Sequence, residues 1–196
     1  MNPCRVDDVR RARSCLLEIL LLSASLHSTD RRFIDDRSLR LLVHAFVTSR
    51  LDYCNGLLAN CNESVRQQFQ QFQNCAVRLV CSEPALSHTT PLLRRLHWLP
   101  VARHITYKLC ILMFDVIHGT APTYLTDICS RYSDNRFRSS ARGNFVVQRT
   151  RTRFTDSSFE VAGPAAWSPL PVNIRNIRSH SAFCQQLKTY LFTVPD

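Results

Sequence analysis

Residues 35–80 read DDRSLRLLVHAFVTSRLDYCNGLLANCNESVRQQFQQFQNCAVRLV, and this stretch decides the fold. Its first half places Leu39, Leu42, Val43, Phe46, Val47, Arg50, Leu51 and Cys54 at helical spacing. The apolar members make a broad stripe, wider than a coiled-coil seam. Asp35 and Asp36 stand at its start, where carboxylates favour the positive end of a helix. Asn55-Gly56 can end the run, because both residues tolerate a positive φ. Asn60 then offers an N-cap, with Glu63 as the other half of a capping box. Val65, Phe69, Phe72, Ala76, Leu79 and Val80 share one face of the second run. Two amphipathic helices joined by a short connection predict an antiparallel helical hairpin at the core.

Further helices follow. Thr90-Pro91 reads as a cap and first helical position for a short segment through Leu96, with Leu92, Leu93 and Leu96 beside Arg94 and Arg95. His97-Trp98-Leu99-Pro100 leads into a long helix whose face carries Val101, Ile105, Lys108, Leu109, Leu112, Met113 and Val116, closed by Gly119 at C′. Ala121-Pro122 opens a short helix holding Tyr124, Leu125 and Ile128. Trp167 falls in a Pro-broken aromatic segment that also holds Phe159, Val161, Ala162, Leu170 and Pro171. Ser179 caps a closing helix with Phe183, Leu187, Tyr190 and Leu191 on one face. Phe46, Phe69, Phe72, Trp98 and Trp167 are the large core candidates.

The texture changes between Arg131 and Arg153, where Arg131, Arg136, Arg138, Arg142, Arg149, Arg151 and Arg153 stand against the single acidic residue Asp134. From Phe145 to Phe154 the residues alternate, with Arg149, Arg151 and Arg153 on one parity, which predicts a strand or half of a small hairpin. Arginines at period two can follow a phosphate backbone. They can equally be the wet side of an edge strand. The fold class expected is therefore mainly α: a helical hairpin plus further helices, with a small Arg-rich β-hairpin or strand segment. Three regions are expected: a leader over 1–30, a helical region over 31–130, and an Arg-rich and aromatic remainder over 131–196.

Composition narrows the function. The net charge is +10, and all but Lys108 and Lys188 of the 25 basic residues are Arg. A planar guanidinium suits phosphate, so RNA or DNA is the partner expected, through Arg94, Arg95 and the seven arginines above. A composition biased toward arginine would give the same count without a ligand. The nine cysteines contain no CxxC pair and read as reduced thiols, not metal ligands or disulfides. The run Cys15–Leu22 follows several arginines, but it is short and broken by Glu18. It therefore reads as neither a secretion signal nor a membrane span, and an intracellular, cytoplasmic or nuclear setting is expected. There is no glycine-rich phosphate loop, HExxH or GxSxG, and the acidic residues are scattered. No catalytic residue, metal site or cofactor is expected.

A series of motifs carries a resemblance. They are LVHAFVTSRLDYCNGLL over 42–58, QNCAVRLV over 73–80, HTTPLL over 88–93, LHWLPV over 96–101 and RHITYK over 103–108. HGTAPTYL over 118–125, Phe159, AGPAAWSPLP over 162–171, SAF over 181–183 and KTYLF over 188–192 complete the order. The chain from about residue 31 to 192 resembles the C-terminal, post-polymerase region of non-LTR retrotransposon reverse transcriptases of the jockey and chicken-repeat type. That resemblance implies a thumb-like helical region beside an RNA-directed DNA polymerase. It implies a truncated product that lacks the polymerase carboxylates and positions nucleic acid without copying it. The alternatives are an interaction module that packs on a reverse transcriptase core, or a decayed element fragment.

Overall fold

The structure is a computed structural model that describes residues 62–129 and 158–194, together with residues 35, 37–41, 43, 45, 49, 59 and 145. These residues are mainly α-helical and contain no β-strand. The small Arg-rich β-hairpin or strand segment expected over Phe145–Phe154 is therefore corrected: the described fold is helical throughout. Phe145 makes an isolated bridge and is buried. The rest of that stretch lies outside the described residues. The chain divides into two compact units, Met1–Cys54 with Asn62–Val101, and Asn55–Cys61 with Ala102–Asp196.

In the first unit, residues 37–41, 43, 45 and 49 are described as helical and belong to helix α1. The backbone N–H groups of Arg37 and Ser38 both donate to the Asp35 carboxylate at 3.2 Å, the arrangement of an N-cap. A hydrogen bond from the Ser38 side chain, followed by the backbone bond from Ser38, holds the Asp35 carboxyl below its ordinary value. Leu39 and Val43, one turn apart, are buried while Arg40 and Leu41 face solvent. Leu42, Phe46, Val47, Arg50, Leu51 and Cys54, on which the expected hairpin packing rests, lie outside the described residues.

Helix α2 runs Glu63–Cys81. Asn62 occupies its cap position without a side-chain bond, so the expected Asn60–Glu63 capping box is not what starts it. Glu63 instead pairs with Arg66. Phe69, Phe72, Ala76, Val77, Leu79 and Val80 are buried. Helix α3 spans Thr89–Arg95 with His88 at the cap, which places Pro91 third in the helix instead of first. Leu92 and Leu93 pack against Val77, with Cys81, Leu96 and Trp98 around them.

Both helices end in the same way. The N–H of Glu83 donates to the Arg78 carbonyl and that of Ser82 to Leu79, with Ser82 at φ 60°. In α3, Trp98 donates to Leu93 and His97 to Arg94, with His97 at φ 55°. These are Schellman turns built on non-glycine residues. In the second, Trp98 also supplies the hydrophobic contact that accompanies the motif.

Gln73 is the one buried polar side chain among the described residues. Its amide donates to the Leu99 carbonyl at 2.8 Å and accepts from Gln70 at 3.0 Å. Gln70 in turn donates to Asn74 at 2.9 Å and accepts the Val101 N–H at 2.9 Å. Each amide of this ladder thus has a partner, which is what makes the burial of Gln73 tolerable.

The second unit is built on α4 (Val101–His118, its first residue counted with the first unit), α5 (Thr123–Ile128), α6 (Phe159–Trp167), α7 (Val172–Arg175) and α8 (His180–Thr193). From α4, Ile105, Leu109, Cys110, Met113, Phe114 and Val116 are buried. Phe183 of α8 is fully buried, stacked on Phe114 at 4.5 Å between ring centroids and tilted against Trp167 at 5.6 Å. Helix α6 continues through Pro164, which follows Gly163. Without a Cβ, Gly163 escapes much of the clash that drives pre-proline residues out of the helical region. It is also where α4 comes closest: a Cβ there would lie 2.8 Å from the Met113 sulfur. Gly119, at φ 72°, closes α4, with Thr120 N–H donating to the Asp115 carbonyl. Ser179 stands at the cap of α8 without a side-chain cap bond.

Candidate nucleic-acid interface

Two of the nine arginines expected to meet phosphate are described, Arg94 and Arg95, and both are exposed in the last turn of α3. Their helix is short, but it is fixed from below by buried Leu92 and Leu93 and closed by the Trp98 turn. Cations at this end also favour the helix dipole, which is a structural reason for their presence. Arg95 lies beside the Cys81 thiol and near Glu83, and the Cys81 bond is the main reason its protonated form is held more firmly than usual. No hydrogen bond or ion pair to the Arg94 guanidinium is present among the described residues.

Two other arginines of this unit have internal work. Arg78 donates through Nε to the Ser87 carbonyl at 3.0 Å and so holds the α2–α3 connection. Arg66 is paired with Glu63. Arg131, Arg136, Arg138, Arg142, Arg149, Arg151 and Arg153 lie outside the described residues. The structure therefore brings Arg94 and Arg95 together on one helix. Among the core candidates, Phe69, Phe72 and Trp167 are buried, Trp98 is half-buried, and Phe46 lies outside the described residues.

Sequence reading missed one grouping. In the second unit His180 Nε2 lies 3.8 Å from Asp115 Oδ1, and the Cys184 sulfur lies 3.7 Å from His180 Nδ1. The signal in the sequence was the spacing of His180 and Cys184, which share a helix face one turn apart. Nothing in the sequence pointed to Asp115 as their neighbour. Among the described residues no group of three or more His, Cys, Asp or Glu is placed to hold a metal ion, and no helix is long and apolar enough to cross a membrane.

No family model, no curated protein and no solved structure matches the chain.

Proposed function

We propose that this chain is a nucleic-acid-positioning module, corresponding to the region that follows the polymerase motifs in non-LTR retrotransposon reverse transcriptases, and that it does not itself copy RNA. The observation that carries the reading is the adjacent, exposed pair Arg94 and Arg95 on a helix anchored by buried leucines. An anchored pair presents two charges to a backbone with less freedom to lose than a loop would have. The seven arginines of the Arg131–Arg153 stretch add sequence-level basic charge to the same function. Contacts of this kind go to phosphate, so they position a strand and do not read its bases. Nucleotidyl transfer requires carboxylates that hold metal against the triphosphate, and none of the resembling motifs contains such a pair.

Fluorescence anisotropy with labelled RNA and DNA tests this. Arg94→Gln with Arg95→Gln should weaken binding equally on unrelated sequences. On a duplex the double variant should lower the log–log salt slope by about 0.9 for each phosphate that is no longer neutralised. Superimposable salt plots for folded wild type and variant refute the assignment to α3.

A second reading, docking onto a polymerase body, is favoured by α5. That helix buries none of its residues and exposes Tyr124 and Ile128. Substituting both with serine separates the two, since it should leave the salt slope unchanged and weaken association with a reverse transcriptase core.

A further inference from the structure

We propose that Asp115, His180 and Cys184 form a thiol-modification site, at which Cys184 exchanges with low-molecular-weight disulfides and His180 takes the thiol proton. The three residues come from two helices of the second unit, and each is placed by something other than the other two. Cys184 and His180 are one turn apart on α8. Asp115 belongs to the last turn of α4, and its Oδ1 accepts a hydrogen bond from Thr120 Oγ1 at 3.0 Å. Thr120 is brought back over Asp115 by the left-handed turn at Gly119. The His180 ring meets Phe114 edge-on at 5.7 Å, and Phe114 is buried and stacked on Phe183. His118 stacks on the same Phe114 ring at 3.9 Å and donates through Nδ1 to the Phe114 carbonyl, so its own geometry is spent locally.

The Asp115 contact assigns the roles. His180 Nε2 faces the Asp115 carboxylate, which favours the tautomer with its proton on Nε2. Nδ1 then carries the lone pair, and the Cys184 sulfur lies within reach of the ring, 3.7 Å from Nδ1 and 3.8 Å from Nε2. When the Cys184 sulfur attacks one sulfur of a disulfide, its proton passes to His180 Nδ1. A new S–S bond forms, the old one breaks, and the departing thiolate takes the proton back from the imidazolium. Cys184 is oxidised to a mixed disulfide while the small disulfide is reduced to one free thiol. The imidazolium formed on the way sits at the positive end of α8, where a cation is disfavoured. The Asp115 carboxylate offsets that, which is why the third group matters.

Other described cysteines lack this arrangement. Cys110 and Cys129 are buried, and burial pushes both thiols up, Cys110 to about 12. Cys81 is half-buried beside Arg95, a group that carries charge but accepts no proton. Cys184 is half-buried and His180 is open to solvent, so a small disulfide has a way in.

The test uses the full chain with 4,4′-dithiodipyridine, following the rate at each cysteine by peptide mass mapping. At about pH 7, His180→Gln should slow the reaction of Cys184 by about tenfold, and Asp115→Asn by a smaller factor. Both variants should converge on the wild-type rate at about pH 9.5, where free thiols ionise without help. A change that only loosened the fold would speed the reaction of Cys184 and of buried Cys110, the opposite direction. Rates for His180→Gln within twofold of wild type at neutral pH overturn the proposal, as does a slowing that persists at alkaline pH.

Discussion

Phe183→Ala removes the ring that joins Phe114 to Trp167 in the second unit. Truncating a buried Phe to alanine costs about 3–5 kcal/mol through lost transfer energy and the cavity left behind. Phe183 is 0% exposed, so no solvent-facing rearrangement can refill the space cheaply. Two ring pairs disappear as well, each worth about 0.5–1.5 kcal/mol beyond its buried area. The expected cost therefore lies at the upper end, about 4–5 kcal/mol. Phe183→Leu refills much of the volume but restores neither ring pair, for about 1.5 kcal/mol. The chain has two tryptophans, Trp98 in the first unit and Trp167 in the second. In a Trp98→Phe background, Trp167 fluorescence thus reports the second unit alone during urea unfolding. With a slope of about 2 kcal/mol/M, the alanine variant should shift the midpoint by about 2 M and the leucine variant by under 1 M. An alanine midpoint within about 0.3 M of the parent would refute the account of Phe183 as the centre of this core.

Gln73→Leu keeps the shape of the buried side chain but strips the Leu99 carbonyl of its donor, and should cost about 1–3 kcal/mol in the first unit. Urea unfolding read by Trp98 in a Trp167→Phe background measures this, and Gln73→Glu at neutral pH should be worse because it buries a charge. Cys110 gives a pH signature: its thiol is pushed from 9.0 to about 12 by burial, so the folded chain keeps a proton the unfolded chain loses between those values. Its contribution is complete below pH 9.0 and falls as the pH rises toward about 12, by at most about 1.4 kcal/mol per pH unit. Cys110→Ala should flatten that part of the stability–pH curve, measured by urea midpoints at a series of alkaline pH values.

Helix α4 shows how far a periodic pattern carries. Val101, Ile105, Leu109, Met113 and Val116 are read from spacing and are buried, and Gly119 closes the helix with a positive φ. The same reading places Leu112 on the buried face, where it is 39% exposed, and passes over Cys110 and Phe114, which are buried. The buried surface of α4 is wider than a single stripe because its neighbours cover more than one side. Helix α6 was hidden behind Pro164, since a proline in a helix interior ordinarily breaks or kinks it. Gln73 was illegible because its burial depends on Leu99 and Gln70, and no local pattern records a distant carbonyl. The arginine alternation beyond Phe145 spoke to charge and parity, and it lies outside the described residues, among which there is no strand. The Asp115–His180–Cys184 grouping was only half visible, through the i, i+4 pair on α8.

The Gln70 side chain has a consequence for how the chain opens. The first amides of a helix have no carbonyl behind them, and ordinarily they exchange their hydrogen with solvent whenever the end frays. Val101 is the first residue of α4, yet its N–H is held at 2.9 Å by an oxygen carried on α2. The Gln70 side chain is itself held by its bonds to Gln73 and Asn74, and Gln73 is anchored to the Leu99 carbonyl. Hydrogen exchange at the Val101 amide should therefore be slower than at a helix start whose first N–H meets only solvent.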